Sequence, residues 1–311
     1  SGPDGIEPDK LDQYDQWFSL LKNAGVYVQW SLFYPLVIQE SDDYPLFDDL
    51  NGGSTSGLVT VFPELQDLEW VVLDSVLSHT NPYTDMSYAS DPALAVLEIR
   101  NEDSIFFHNP LNPLADGTYA AHAAELQADW ATWLTAAYGD DTALASAWGD
   151  GMRTGDGLAN PSMGIYGAWQ MAADGPSTNP AEARRMGDWI AFLAERQRDG
   201  YARRIERVRE AGFDGVMVST AWWAGGPAAA LANLWTDDAA DAIDRHGYYG
   251  GGTEMEPWHQ LFVGPVSTGS MLTEPGQGVF HKAALQVAGK PMMMSEWTSS
   301  PPNRQKLEAV P

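Results

Sequence analysis

Two glutamates in this chain stand at the end of a short apolar run, where a carboxylate can do chemistry. Residues 94–103 read LAVLEIRNED, and residues 291–297 read PMMMSEW. Pro92 and Pro291 introduce the two runs, and each has the length of a strand rather than of a helix. A buried strand that releases a carboxylate at its C-terminal end is how an α/β barrel presents catalytic groups. Two such carboxylates are what glycosidic cleavage needs: one protonates the leaving oxygen, and the other attacks the sugar carbon or activates water. Alternation along the first run places Glu98, Arg100 and Glu102 on one face and Leu97, Ile99 and Asn101 on the other. With Glu102 turned to the barrel mouth, Glu98 and Arg100 lie beneath it and are expected to pair, since neither charge tolerates burial alone.

The elements that must position these groups follow a helix, glycine, strand rhythm. A helix opens at Pro8-Asp9 and stops at Gly25, and a strand spans 26–33. Residues 34–63 form a long loop leaving a strand C-terminus, which places it on the catalytic face. A helix over 64–78 leads by His79 and Tyr83 toward the Glu102 strand. That connection belongs to the opposite, stability face, so His79 and Tyr83 read as structural. After Glu102 a loop carries His108 at the mouth, and a helix over 119–138 follows. Residues 139–180 are a poorly patterned insertion whose Asp-Gly pairs are explained by turns, because the EF-hand spacing is absent. A long helix over 181–211 places Trp189, Phe192, Tyr201 and Val208 inward. Its Arg184, Arg196, Arg203 and Arg207 read as a solvated face, and Gly212 stops it. The strand over 215–220 ends in Trp222 and Trp223, which suit stacking on the C–H faces of sugar rings. A short helix around 228–235 leads to the strand 241–248, where parity aligns Asp244, His246 and Tyr248. Residues 250–278 form a further catalytic-face loop, and a helix over 279–288 precedes the Glu296 strand, in which Trp297 directly follows the carboxylate.

Asn101-Glu102 closing a middle strand, His246-Gly247-Tyr248 closing a later one and Glu296 closing the next resemble the clan of retaining TIM-barrel glycoside hydrolases. Cellulases, β-galactosidases and agarases belong to that clan. The resemblance runs from about residue 10 to the end, on short motifs in matching order. It implies a (β/α)8 TIM barrel in which Glu102 ends strand four as acid/base and Glu296 ends strand seven as nucleophile. It further implies Tyr248 as hydrogen-bond partner of the nucleophile, Asn101 as holder of a sugar hydroxyl, and no cofactor. His246, Trp222, Trp223, Trp297 and His108 complete the expected substrate contacts.

On that count the strands near 26–33, 94–101, 215–220, 241–248 and 291–296 are strands three to seven of eight. The expectation is therefore a single catalytic domain over 1–311, a fragment lacking the first two strands and the last, with further polypeptide completing the barrel. The formal charge of −26, from 43 acidic and 17 basic residues, repels nucleic acid and anionic membrane and favours a neutral polysaccharide as partner. It suits a high-salt setting and an ordinary acidic secreted enzyme equally. The chain holds no cysteine, so thiol chemistry is excluded, and no apolar run is long enough to span a bilayer. A polysaccharide substrate places the protein outside the cell or in a periplasm. Two rivals stand beside this reading. One is a non-catalytic carbohydrate-binding protein on the same scaffold. The other is a metal-dependent hydrolase using Asp103, His108, Asp244 and His246, which lacks any close ligand pair.

Overall fold

The computed structural model describes residues 6–31, 33, 34, 36–173, 180–250, 254, 255, 262, 263, 269–274, 278–299 and 303–309. The chain forms two compact units, Ser1–Ala240 and Asp241–Pro311. In the first, helix α1 (Pro8–Asn23) leads to strand β1 (Val28–Ser31), and α2 (Pro63–Ser78) leads to β2 (Leu94–Glu98). Then come α3 (His108–Asp116), α4 (Ala120–Tyr138), α5 (Asp141–Trp148), α6 (Ala168–Ala173) and the 28-residue α7 (Ala183–Glu210). Strand β3 (Val216–Val218) and α8 (Pro227–Asp237) close the unit.

The ends of these helices are written in the sequence. Pro8, Pro63 and Pro227 each occupy the first helical position, where the missing N–H costs nothing. Gly25 and Gly212 adopt the left-handed conformation just past α1 and α7. There the amides of Val26 and Phe213 reach back to the carbonyls of Leu21 and Val208, closing both helices as Schellman motifs. α3 departs from expectation, since its HNPLNPLADG sequence reads as loop and holds Pro113 inside the helix. Burial of Pro110, Leu111 and Leu114 on one face offsets the hydrogen bond that Pro113 removes.

Strands β1, β2 and β3 lie side by side in that order, all parallel, with Gln29 beside Val96 and Val96 beside Val216. Two apolar clusters fill the unit. One, under the sheet, gathers Phe18, Leu73, Leu77, Tyr88, Leu97, Tyr201 and Met217. The other, among the helices, gathers Leu58, Leu65, Leu126, Trp130, Trp148, Trp189 and Phe192. α7 serves both: Met186 to Ala194 belong to the helical cluster, and Tyr201 and Val208 to the sheet cluster. Of the expected solvated arginine face of α7, Arg184 is exposed, while Arg196, Arg203 and Arg207 are half-buried and tied to neighbours. Arg185 and Arg204 are buried. Arg196, Arg198 and Arg207 pair with Asp129, Asp238 and Asp74, and Arg203 donates to Gln66. In a chain with this excess of acid, the basic helix neutralises the acidic elements around it. The 34–63 segment turns inward likewise: Tyr44, Leu50, Leu58 and Val59 are buried, so Tyr44 packs rather than faces solvent.

In the second unit, β4 (Ile243–Tyr249) and β5 (Met292–Ser299) pair in parallel, and α9 (Gly278–Ala283) packs against them. Most of the 250–278 loop, including Trp258 and His259, lies outside the described residues. All five expected strands are present. Among the described residues they form a three-stranded and a two-stranded parallel sheet, and no closed barrel. The architecture is thus mixed α/β with small parallel sheets. No helix among the described residues is long and apolar enough to cross a membrane.

Candidate active site

In the first unit the candidate residues lie on the loop that leaves β2. The strand ends at Glu98, so the expected alternation through Glu102 is broken, and Glu98 and Arg100 do not pair with each other. Glu98 accepts from the Ser31 hydroxyl on neighbouring β1. Arg100 turns into the interior and meets Glu69 of α2, while its second nitrogen lies 3.4 Å from Asp103. The other Glu69 oxygen accepts from both nitrogens of Arg204 at 2.9 and 3.0 Å. Burial pushes Arg100 and Arg204 down to about 10, and both remain cations at neutral pH. Asp103, fully buried, accepts from the Ser56 hydroxyl and the Gly57 amide, each at 2.9 Å. The Ile105 amide donates to Gln197 at 2.7 Å. Buried ionic and polar groups on α2 and α7 therefore grip the loop on both sides of Glu102.

Held in this way, Glu102 has φ of 42°, a backbone region unfavourable for a residue with a Cβ. Its amide donates to the Thr220 carbonyl at 2.8 Å, and the Asn101 amide donates to Phe33 at 3.0 Å. Glu102 is half-buried and Asn101 buried. Ala221, one residue past Thr220, is also left-handed, with φ of 58°. Strain thus gathers at the ends of β2 and β3. Trp222 and Trp223 follow directly and are half-buried. Phe107 meets Trp222 edge-on with ring centroids 4.3 Å apart. His108 is not on a loop: it is the first residue of α3, with its ring between Phe107 and Trp169.

In the second unit the candidate residues lie on β4 and β5. His246 is in register with Glu296, and one extra residue on β5 between the Asp244 and His246 positions re-aims the strand. The Tyr248 hydroxyl donates to Glu296 Oε2. His246 Nδ1 lies 3.4 Å from the same oxygen. Behind them the Ser295 hydroxyl donates to Asp244 Oδ2 at 2.5 Å and lies 3.0 Å from His246 Nε2. The Ser295 amide donates to Asp244 Oδ1 at 3.0 Å. With the Ser295 proton given to Asp244, its oxygen accepts from Nε2–H, so the imidazole is oriented from behind by a buried carboxyl. Burial pushes the Asp244 carboxyl above its ordinary range, against the hydrogen bonds from Ser295. Alternation places Trp297 with Gly247, on the face opposite Glu296.

Sequence reasoning aligned Asp244, His246 and Tyr248 but missed Ser295, because a serine inside an apolar run carries no signal of its own. It also missed Glu69 and Arg204, which sit on helices far along the chain. Of the rival metal set, Asp103 accepts from Ser56 and Gly57, the His108 ring packs against two aromatic rings, and Asp244 and His246 both lie against Ser295. His79 and Tyr83 tie to Asp15 and Asp12 of α1.

Compared by sequence, the chain matches no family model and no curated protein. Among solved structures it is similar to an exo-beta-agarase, with TM-score 0.43 and 16% identity over 76% of this chain and 26% of that one. It is similar also to an agarase, with TM-score 0.38 and 14% identity over 76% of this chain and 30% of that one. The chain spans less than a third of the length of either.

Proposed function

We propose that the chain is a retaining glycoside hydrolase acting on a β-linked, neutral poly- or oligosaccharide by double displacement. Glu102 protonates the glycosidic oxygen while Glu296 attacks the anomeric carbon, which frees the leaving sugar and forms a glycosyl-enzyme ester. Glu102, now a carboxylate, takes a proton from water. The water oxygen displaces Glu296, and both carboxyls return to their starting states. Asn101 holds a sugar hydroxyl, and Trp222, Trp223 and His108 contact sugar. The reading calls for a (β/α)8 barrel completed by further polypeptide, and for a location where polysaccharide is met, outside the cell or in a periplasm.

The observation that carries this reading is the hold on Glu296. A tyrosine hydroxyl donates to Oε2 of a strand-end carboxylate, and an imidazole nitrogen stands 3.4 Å from the same oxygen. Oε1 is then the oxygen offered to an anomeric carbon. Retention requires the two carboxyls about 5–5.5 Å apart, whereas about 6.5–9.5 Å accommodates a water and inverts. The test is hydrolysis of a panel of neutral β-glycans. Glu102→Gln and Glu296→Ala are expected to lose about 10²–10⁴-fold or more in kcat/KM, and sodium azide is expected to restore part of the Glu296→Ala turnover as a glycosyl azide. Full activity in Glu296→Ala overturns the proposal.

A further inference from the structure

We infer that Trp169 is a second sugar-stacking platform, which extends the carbohydrate site outward along the ring row Trp222, Phe107, His108 and Trp169. The inference rests on the carbohydrate reading above and adds a residue to it.

The rings form a continuous series within the first unit. Trp222 and Phe107 lie 4.3 Å apart, Phe107 and His108 4.2 Å, and His108 and Trp169 5.1 Å between centroids. The first two contacts are edge-on, at 62° and 71°, whereas His108 and Trp169 stack at 21°. The row begins two residues beyond Thr220, whose carbonyl holds the Glu102 amide. It ends at an indole that is 63% exposed. One face of that indole rests on the imidazole, and the rest of its large apolar plane is open to solvent. Such a plane fits the C–H face of a pyranose.

The helix that carries the indole is also anchored. On α6, Met171 is buried, and the Ala168 amide donates to the Asn112 side chain at 3.0 Å. A Cβ at Gly226 would stand 2.8 Å from the Ala172 Cα, so α6 abuts the loop after Trp222 and Trp223 directly. An aromatic plane already fixed in place loses little freedom when a ligand settles on it. Other exposed indoles of the unit lack this combination. Trp235 is covered by the Arg198 guanidinium 4.5 Å above its ring. Trp17 lies on α1, outside the ring row. No lysine or arginine takes part in the row, which fits a neutral sugar.

Affinity electrophoresis through gels holding agarose, barley β-glucan, xylan or galactan tests this, with Glu296→Ala as the background so that the matrix is not consumed. At least one of these neutral polysaccharides is expected to retard the protein. Adding Trp169→Ala should weaken that association about three- to ten-fold, the value of one aromatic contact. Trp169→Tyr should retain most of it, and Trp235→Ala all of it, with circular dichroism unchanged throughout. Equal retardation of the Trp169→Ala protein would overturn the platform and leave the carbohydrate reading standing. Absence of retardation of the Trp169-containing protein in every gel would overturn both.

Discussion

Glu69 offers one carboxylate oxygen to each of two buried guanidinium groups, Arg100 and Arg204. Removing its charge leaves two buried cations with Asp103 as their nearby carboxylate, whereas a hydrophobic replacement of the whole set would be far less costly. Glu69→Gln is therefore expected to cost about 3–5 kcal/mol in urea denaturation. Because the triad also grips the loop carrying Glu102, the same variant should lose activity even where it stays folded. At Asp49 burial alone would raise the carboxyl, but the amides of His122 and Ala121 and the His122 ring hold it below its ordinary range. Glu182 is held low in the same sense: burial opposes, and Arg153 and Tyr166 prevail. For a carboxyl with a lowered folded pKa, the stabilisation is complete above the unfolded value, about 4. It is lost as the pH falls through the folded value. The urea midpoint should accordingly fall below about pH 4, and Asp49→Asn should flatten that acid arm. An Asp49→Asn protein with an unaltered acid arm would show that Asp49 does not contribute to it.

At the scale of elements, α7 contains Gly200 at its middle, where alanine would ordinarily gain about 1 kcal/mol. Here a Cβ would stand on the Thr60 carbonyl oxygen and near the Gln66 side chain. Gly200→Ala is expected to lose about 1–3 kcal/mol from overpacking, read as a lower thermal midpoint; a rise would show that the 58–62 turn yields easily. Such close approaches were not legible in the sequence, which marks Gly200 only as a weak point in a helix. Legible elements were those with local punctuation. Proline and glycine punctuation bounded α1, and Gly212 the end of α7, while short apolar runs marked all five parallel strands. What failed was governed by distant partners. α3 forms across two prolines because its apolar face is buried, and the parity from Leu97 to Glu102 breaks because Arg100 is drawn to Glu69 on α2. Glu102 and Glu296 stood out as carboxylates that end apolar runs. The Asp244, Ser295 and His246 relay needs the extra residue on β5, which only strand pairing reveals.

The whole chain carries a formal charge of −26, while eight of its twelve arginines lie on α7. Repulsion among the remaining carboxylates acts over the screening length, about 10 Å at 0.1 M salt and about 3 Å at 1 M. The buried pairs of Arg100 and Arg204 with Glu69 and of Arg185 with Asp156 are screened far less. Raising KCl from about 0.1 to 1 M is thus expected to raise the thermal midpoint, and an unchanged or falling midpoint would show that the exposed arginine ties outweigh the repulsion. The reach of α7 across both apolar clusters has a consequence for backbone amide hydrogen exchange. Its N-terminal half is sealed by the helical cluster and its C-terminal half by the sheet cluster, so neither half can open without disturbing a core. The amides of residues 190–208 should then exchange at one common, slow rate set by global opening of the first unit. Two distinct levels of protection, changing near Gly200, would mean instead that the two cores open as separate foldons joined by a single helix.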